Sequence, residues 1–203
     1  FTGINYSNTA AAAKYVSESD KNNIAVICSE LAAKKYNLKI IEDAAEMHGQ
    51  TYNGKMCGSF GDISIFSFYP NKHITTGEGG MVLMDDERLY EKCKSLRNLC
   101  FSSDGNKRFI HEELGWNLRM TNIQAALGVA QLERIDEFVT KKRWIGNMYQ
   151  ELLSDIKSIN LPIKQKDFAE NIYWVFPVTL KDDYPKTAKE VMKELGECKI
   201  GTR

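Results

Sequence analysis

Three stretches of the chain hold residue types that can do chemistry. In Ser67-Phe68-Tyr69-Pro70-Asn71-Lys72-His73-Ile74-Thr75-Thr76-Gly77-Glu78-Gly79-Gly80, an apolar strand pattern runs into a Pro-containing turn bearing Lys72. Glycines that can take positive φ follow. A lysine so placed can project into a pocket at the C-terminal edge of a sheet, where open α/β sheets bind ligands. Taken alone it reads more simply as solvated surface, as most loop lysines are. The glycines match neither a Walker sequence nor GxGxxG. In Ile40-Ile41-Glu42-Asp43-Ala44-Ala45-Glu46-Met47-His48-Gly49, a strand pattern ends in carboxylates and small residues. Asp43 there can hold a cationic ring nitrogen or cap a turn. Glu46 and His48 lie three and five residues on, and at most one of them is expected to face the same site. In Leu114-Gly115-Trp116-Asn117-Leu118-Arg119-Met120-Thr121, Asn117 and Arg119 precede a helix start. They can bind an anion beside free backbone N–H groups, or serve as cap and surface charge. His48, His73 and His111 have no metal-ligand spacing, and no Ser-His-Asp or HExxH pattern is present.

The elements that must position these residues alternate between strand and helix. Residues 24–36 read as a helix with Ile27, Leu31, Ala32 and Tyr36 on one face and Asn37 at its end. Strands follow at 38–41, 63–68 and 81–84, separated by turn-rich segments. A charged helix is expected over 86–96, and a longer one from the N-cap Thr121 past Phe138. Residues 172–178 read as a further strand and 187–195 as a last helix. Such alternation favours an α/β domain with a covered, mainly parallel sheet. A composition shift between 154 and 171 marks a boundary, giving a segment 1–26 that builds no core, a body over 27–153 and a second unit over 154–203. Only three strands precede the long helix, few for a sheet that buries two faces, so the chain is expected to be a piece of a longer polypeptide.

Composition narrows the function classes. Lys and Arg number 27 against 27 Asp and Glu among 203 residues, so there is no net positive field to attract a phosphate backbone. The longest apolar runs fall far short of the roughly 18–20 residues of a membrane span, and no leader pattern opens the chain. Five cysteines, odd in number and without a CxxC pair, argue against a disulfide framework or a zinc site. A reducing cytoplasm, without nucleic-acid or membrane partners, is the expected setting.

In order and spacing, the segments IIEDAAEMHG, GSFGDISIFSFYPNKHITTGEGGMV and LGWNLRMTNIQAALGVAQLERIDEF resemble the large-domain signatures of the DegT/DnrJ/StrS sugar-nucleotide aminotransferases. Within that family the chain is most similar to its GDP-perosamine synthase-like members, and the resemblance runs from about residue 27 to 203. It implies the aspartate-aminotransferase fold of pyridoxal phosphate enzymes (fold type I), here a large-domain portion followed by the start of a smaller α+β domain. It implies that Lys72 is the Schiff-base lysine and proton shuttle, that Asp43 pairs with the pyridinium nitrogen, and that Glu46 sits near the cofactor's 3-hydroxyl. Ser67 is implied at the phosphate, and Asn117 at the phosphate of a neighbouring subunit in a homodimer with shared sites. Arg119 is a weaker candidate for the same anion pocket. The implied reaction carries an amino group, with glutamate as donor, to a 4-keto-6-deoxy nucleotide sugar. Related dehydratases replace the lysine with His. Here Lys72 is retained, which favours transamination over dehydration. An inactive truncated remnant is the third alternative. Residues 1–26 show no counterpart of the family's upstream phosphate loop.

Overall fold

The computed structural model describes residues 3–21, 23–102, 104–107, 109–111 and 113–203. The chain begins with two short helices, α1 (Thr9–Ser17) and α2 (Glu30–Lys35), which pack on each other around Ala13, Ala32 and Ala33. Asn8 and Ser29 cap them by accepting the backbone N–H groups of Ala11 and Ala32. The Ser29 cap starts α2 later than the apolar spacing suggests and leaves Ile27 and Leu31 exposed, so alanines form the packed face instead. Asn37 ends this region in the left-handed conformation, φ 51°.

Strand β1 (Ile41–Asp43) leads through the hairpin β2 (Thr51–Tyr52) and β3 (Lys55–Met56) to β4 (Ile63–Ser67) and β5 (Gly80–Leu83). β4 is the central strand. It pairs in parallel with β1, placing Asp43 opposite Ile65, and antiparallel with β5, placing Ser67 opposite Gly80. The sheet therefore mixes one parallel and one antiparallel pairing. Its register puts Asp43 and Ser67 at the same edge, the C-terminal ends of adjacent parallel strands.

Helix α3 (Glu87–Arg97), capped by Asp86, is followed by α4 (Asn122–Leu132) and α5 (Ile135–Leu152). Thr121 caps α4 in a full capping box with Gln124, as its position suggested. The single long helix expected from Thr121 is instead two, broken at Glu133 and Arg134. No glycine or proline marks that break in the sequence. Past α5 the strands β6 (Ile159–Asn160), β7 (Gln165–Lys166), β8 (Ala169–Glu170) and β9 (Thr179–Leu180) form two small antiparallel pairs. The last helix, α6 (Ala188–Glu197), is capped by Thr187 with Glu190.

The strand expected over 172–178 does not form. Tyr173 takes φ 50° and donates its N–H to the Asn171 side chain at 2.7 Å, a local turn that breaks the extended path. The β-branched and aromatic residues that suggested a strand are used for packing: Ile172 and Tyr173 are buried, with the Tyr173 ring against Gly146 of α5. Among the described residues no helix is long and apolar enough to cross a membrane. The five thiols are unpaired.

One glycine tests how tightly the loop before β4 is built. Gly58 has φ 93°, and a Cβ there would lie 2.4 Å from Cζ of Phe66, whereas Gly54, at φ 74°, has open space around it. Gly58→Ala is expected to cost about 2–4 kcal/mol in urea unfolding, strain plus overpacking, against about 1 kcal/mol for Gly54→Ala. Equal losses would show that the Phe66 contact carries nothing.

Candidate active site

The strand ends that converge at the sheet edge are locked by Glu42. Its carboxylate accepts the N–H groups of Gly58 (2.6 Å), Phe60 (2.8 Å) and Gly61 (3.2 Å) and the hydroxyl of Ser64 (3.0 Å). Burial pushes this carboxyl up, but the Gly58 and Phe60 donors, with Ser64 and Gly61, together hold it below its ordinary value. Asp62 adds a second latch, accepting the N–H of Ile40 at 2.9 Å and the ammonium of Lys39 at 2.7 Å. The turn-rich segment 58–62, which reads only as a loop in the sequence, is thus a backbone clamp on the strand that ends in Asp43.

A second set of bonds closes the loop that carries Lys72. Phe68 donates its N–H to Gly79 and accepts at its carbonyl from the Thr76 N–H and the Thr75 hydroxyl. Gln131 of α4 holds Thr75 from both sides, accepting its N–H at 3.0 Å and donating to its carbonyl at 2.7 Å. Gly79 has φ 139°, and a Cβ there would lie 2.8 Å from Oγ1 of Thr76, so the close approach needs glycine. Lys72 is consequently held on a closed loop pinned to a helix.

The Lys72 side chain is only 8% exposed. Its Nζ lies 2.9 Å from Oε1 of Glu46 and 3.9 Å from the centroid of the Trp174 ring. A carboxylate and an aromatic face thus share one nearly buried amine. Behind it, His48 is 5% exposed and sits 5.3 Å, 5.9 Å and 6.2 Å, centroid to centroid, from Phe66, Phe68 and His73. Neither His48 nitrogen makes a hydrogen bond of normal geometry. Burial, then the neighbouring His73 and Lys72, push its pKa down to about 4, and a loose approach of the Ser67 backbone offsets this only in part. His73, also lowered by burial, keeps one contact, Nε2 to the Ile172 carbonyl at 3.2 Å.

Of the residues singled out in the sequence, the structure joins Lys72 to Glu46 directly. Asp43 is exposed at the end of β1 and accepts the Ala45 N–H, and Ser67 at the end of β4 accepts the Tyr69 N–H. Asn117 is exposed on the loop before α4, bridged to Asn98, and accepts from Arg119, which also donates to Asn98. Among the described residues no hydrogen bond or ion pair joins Asp43, Ser67 or Asn117 to Lys72, and no cluster of three or more His, Cys, Asp or Glu could hold a metal ion. Trp174 and the Glu42 clamp were missed in the sequence. Trp174 lies about a hundred residues from Lys72, and Glu42 looked like part of a strand stop. A buried primary amine at the C-terminal edge of a sheet, faced by a carboxylate, is equipped for carbonyl chemistry.

The model of the DegT/DnrJ/EryC1/StrS aminotransferase family matches residues 27–203. The chain belongs to that family. Among its relatives the GDP-perosamine synthase of Escherichia coli O157:H7 is 40% identical over 174 residues, which cover 84% of this chain and 45% of the relative. This aminotransferase-family chain therefore spans about half the length of the curated relatives it matches. Among solved structures, Helicobacter pylori PseC, an aminotransferase involved in the biosynthesis of pseudoaminic acid, superposes with a TM-score of 0.75 at 26% identity, covering 83% of this chain and 45% of PseC. The E. coli GDP-4-keto-6-deoxy-D-mannose-3-dehydratase with bound hydrated PLP gives 0.71 at 24% identity over 83% of this chain and 46% of its own, a likeness of fold alone. The α/β architecture is accordingly that of the pyridoxal phosphate-dependent sugar aminotransferases, fold type I. A second model, that of prephenate dehydratase, matches residues 1–52 and overlaps the aminotransferase match from 27. The first 26 residues, silent in the sequence reading, fall within that second match alone.

Proposed function

We propose that the chain is the Lys72-bearing portion of a pyridoxal phosphate-dependent aminotransferase that delivers an amino group to a nucleotide-linked 4-keto-6-deoxy sugar. The supporting observation is the Lys72 amine, nearly buried and held by Glu46 at the sheet's C-terminal edge. The residues present fit the cofactor: one sequestered amine, a carboxylate ending β1 and a hydroxyl ending β4, the last two placed at one edge by the strand register. In this reading Lys72 holds the cofactor, Asp43 its ring nitrogen, Glu46 the region of its 3-hydroxyl and Ser67 its phosphate. Asn117, with Arg119 beside it, reaches the phosphate of a neighbouring protomer in a homodimer. The body over 27–153 carries this site, and 154–203 begins a smaller unit. Glutamate is the expected donor and the cytoplasm the expected compartment.

When bound, pyridoxal phosphate supplies an electron sink that lets a carbon beside nitrogen lose a proton. The chain's own residues do the rest. Glu46 holds Lys72 Nζ in place at 2.9 Å, and that nitrogen is the group that takes and returns the proton. Asp43 favours a protonated ring nitrogen by opposing its charge. The Glu42 clamp keeps the strand carrying Asp43 in register with β4. Asp43→Asn is expected to raise the dissociation constant for pyridoxal phosphate at least about tenfold, roughly 1.4 kcal/mol, in a fluorescence titration. An unchanged constant would remove Asp43 from the site. Supplying a 4-keto-6-deoxy nucleotide sugar with glutamate separates the reactions: gain of an amine supports this reading, and loss of a hydroxyl assigns the dehydratase.

A further inference from the structure

Three consecutive residues of the lysine loop are each engaged by the segment 172–174. The indole Nε1 of Trp174 donates to the carbonyl of Asn71 at 3.0 Å, its ring lies 3.9 Å from Lys72 Nζ, and the Ile172 carbonyl lies 3.2 Å from Nε2 of His73. The segment adopts this path through Tyr173, an aromatic residue at φ 50° that is 4% exposed. A bulky residue is rarely left-handed, and strain of this kind persists where the surroundings over-determine it, typically at functional sites. Here the surroundings are visible: the Asn171 side chain accepts the Tyr173 N–H, the ring seats against Gly146, and Lys142 of α5 approaches the Trp174 carbonyl at 3.4 Å. Trp174 also helps line a groove of about 460 Å³ with Met47, Cys57 and Phe168.

We infer that Trp174 is a positioning residue for Lys72, the strained turn at Tyr173 serving to hold an aromatic face against its amine. The inference rests on the reading of Lys72 as the reacting amine but not on the cofactor. An ammonium over an aromatic face is attracted by the ring quadrupole, and the attraction ends when the nitrogen loses its charge. The groups facing this nitrogen are the Glu46 carboxylate, which opposes its charge, the buried and uncharged His48, and the Trp174 ring. Glu46 and Trp174 together fix where the amine stands. Removing the ring face therefore frees the nitrogen to leave that position.

The test is pulse acetylation of the full chain, without cofactor, at neutral pH. Mass spectrometry of the Lys72 peptide is referenced to the other lysine peptides. Trp174→Met fills the space with an apolar side chain that has no ring face. It is expected to release the amine from the place it shares with Glu46 and the ring, with about three- to tenfold more Lys72 labelling. Trp174→Phe keeps a face and loses only the Nε1 hydrogen bond, and is expected to stay within about twofold of the parent. Should the Met variant not fold, Trp174→Leu carries the same comparison. A Phe variant that behaves like Met would mean that the face does not hold the amine, and would overturn the inference. So would no change in the Met variant. Because acetylation needs no pyridoxal phosphate, failure of the cofactor reading and failure of this inference give different results.

Discussion

Lys72→Ala is expected to abolish covalent retention of pyridoxal phosphate and its visible absorbance while leaving the chain folded. Every lysine is a potential amine, and most of those in ion pairs here are half-exposed or more, so casual adducts should form slowly and reverse. Lys72 differs in being nearly enclosed, on a loop closed by Phe68, Thr76 and Gly79 and tied to α4 through Gln131. Enclosure excludes competing water and fixes approach, the two conditions under which an imine-forming lysine becomes selective. The fold should tolerate the loss. Glu46 is 37% exposed, so water can replace the lost partner, and screening limits the cost to less than about 1 kcal/mol. Circular dichroism matching the parent, with loss of the absorbance band, is the expected pair of results. A band that survives in the alanine variant would transfer the role to another lysine.

The second large effect lies in acid. The unfolded chain protonates His48 near its ordinary 6.5, whereas in the fold the value is about 4. Between those values the unfolded state binds more protons, so stability rises with pH there and is lost as pH falls through the window. At about 1.4 kcal/mol per pH unit, this single ring withdraws about 3 kcal/mol on acidification. His73, lowered by the same burial, adds with the same sign. Glu42, whose carboxyl is held below its ordinary value, loses its contribution only at lower pH, as its folded-state value is crossed. Urea unfolding at about pH 7 and about pH 4.5 should therefore show a steep loss for the parent, and for His48→Phe a loss smaller by about 2–3 kcal/mol. Phenylalanine also removes two unsatisfied nitrogens, so the variant should equal or exceed the parent at neutral pH. The same acid slope in both proteins would mean that His48 is solvated in the fold.

What the sequence made legible was local. The cap at Thr121, the helix starts at 86 and 187, the helix end at Asn37 and the strands before and after the lysine loop all follow from side chains acting on backbone within a few residues. That Glu46 and Lys72 belong to one site was implied only by the family resemblance, and their direct contact only by the structure, because nothing in a spacing of 26 residues shows that a β1 loop and a β4 loop meet. What stayed hidden depended on tertiary partners. The apolar run 172–178 has strand composition, but its backbone is turned by an Asn side chain and by docking against Gly146 and the lysine loop. Glu42 looked like a charge ending a strand and is instead the acceptor of four donors. Apolar spacing on residues 27 and 31 signalled a buried face that the fold leaves exposed, while small alanines do the packing.

The account turns on one nitrogen. Incubating the full chain with pyridoxal phosphate, reducing with borohydride and mapping the modified peptide by mass spectrometry tests it most directly. The predicted result is a single pyridoxyl group on Lys72. A folded chain carrying that group on another lysine, or none after saturation, would contradict the assignment of Lys72 and the function built on it.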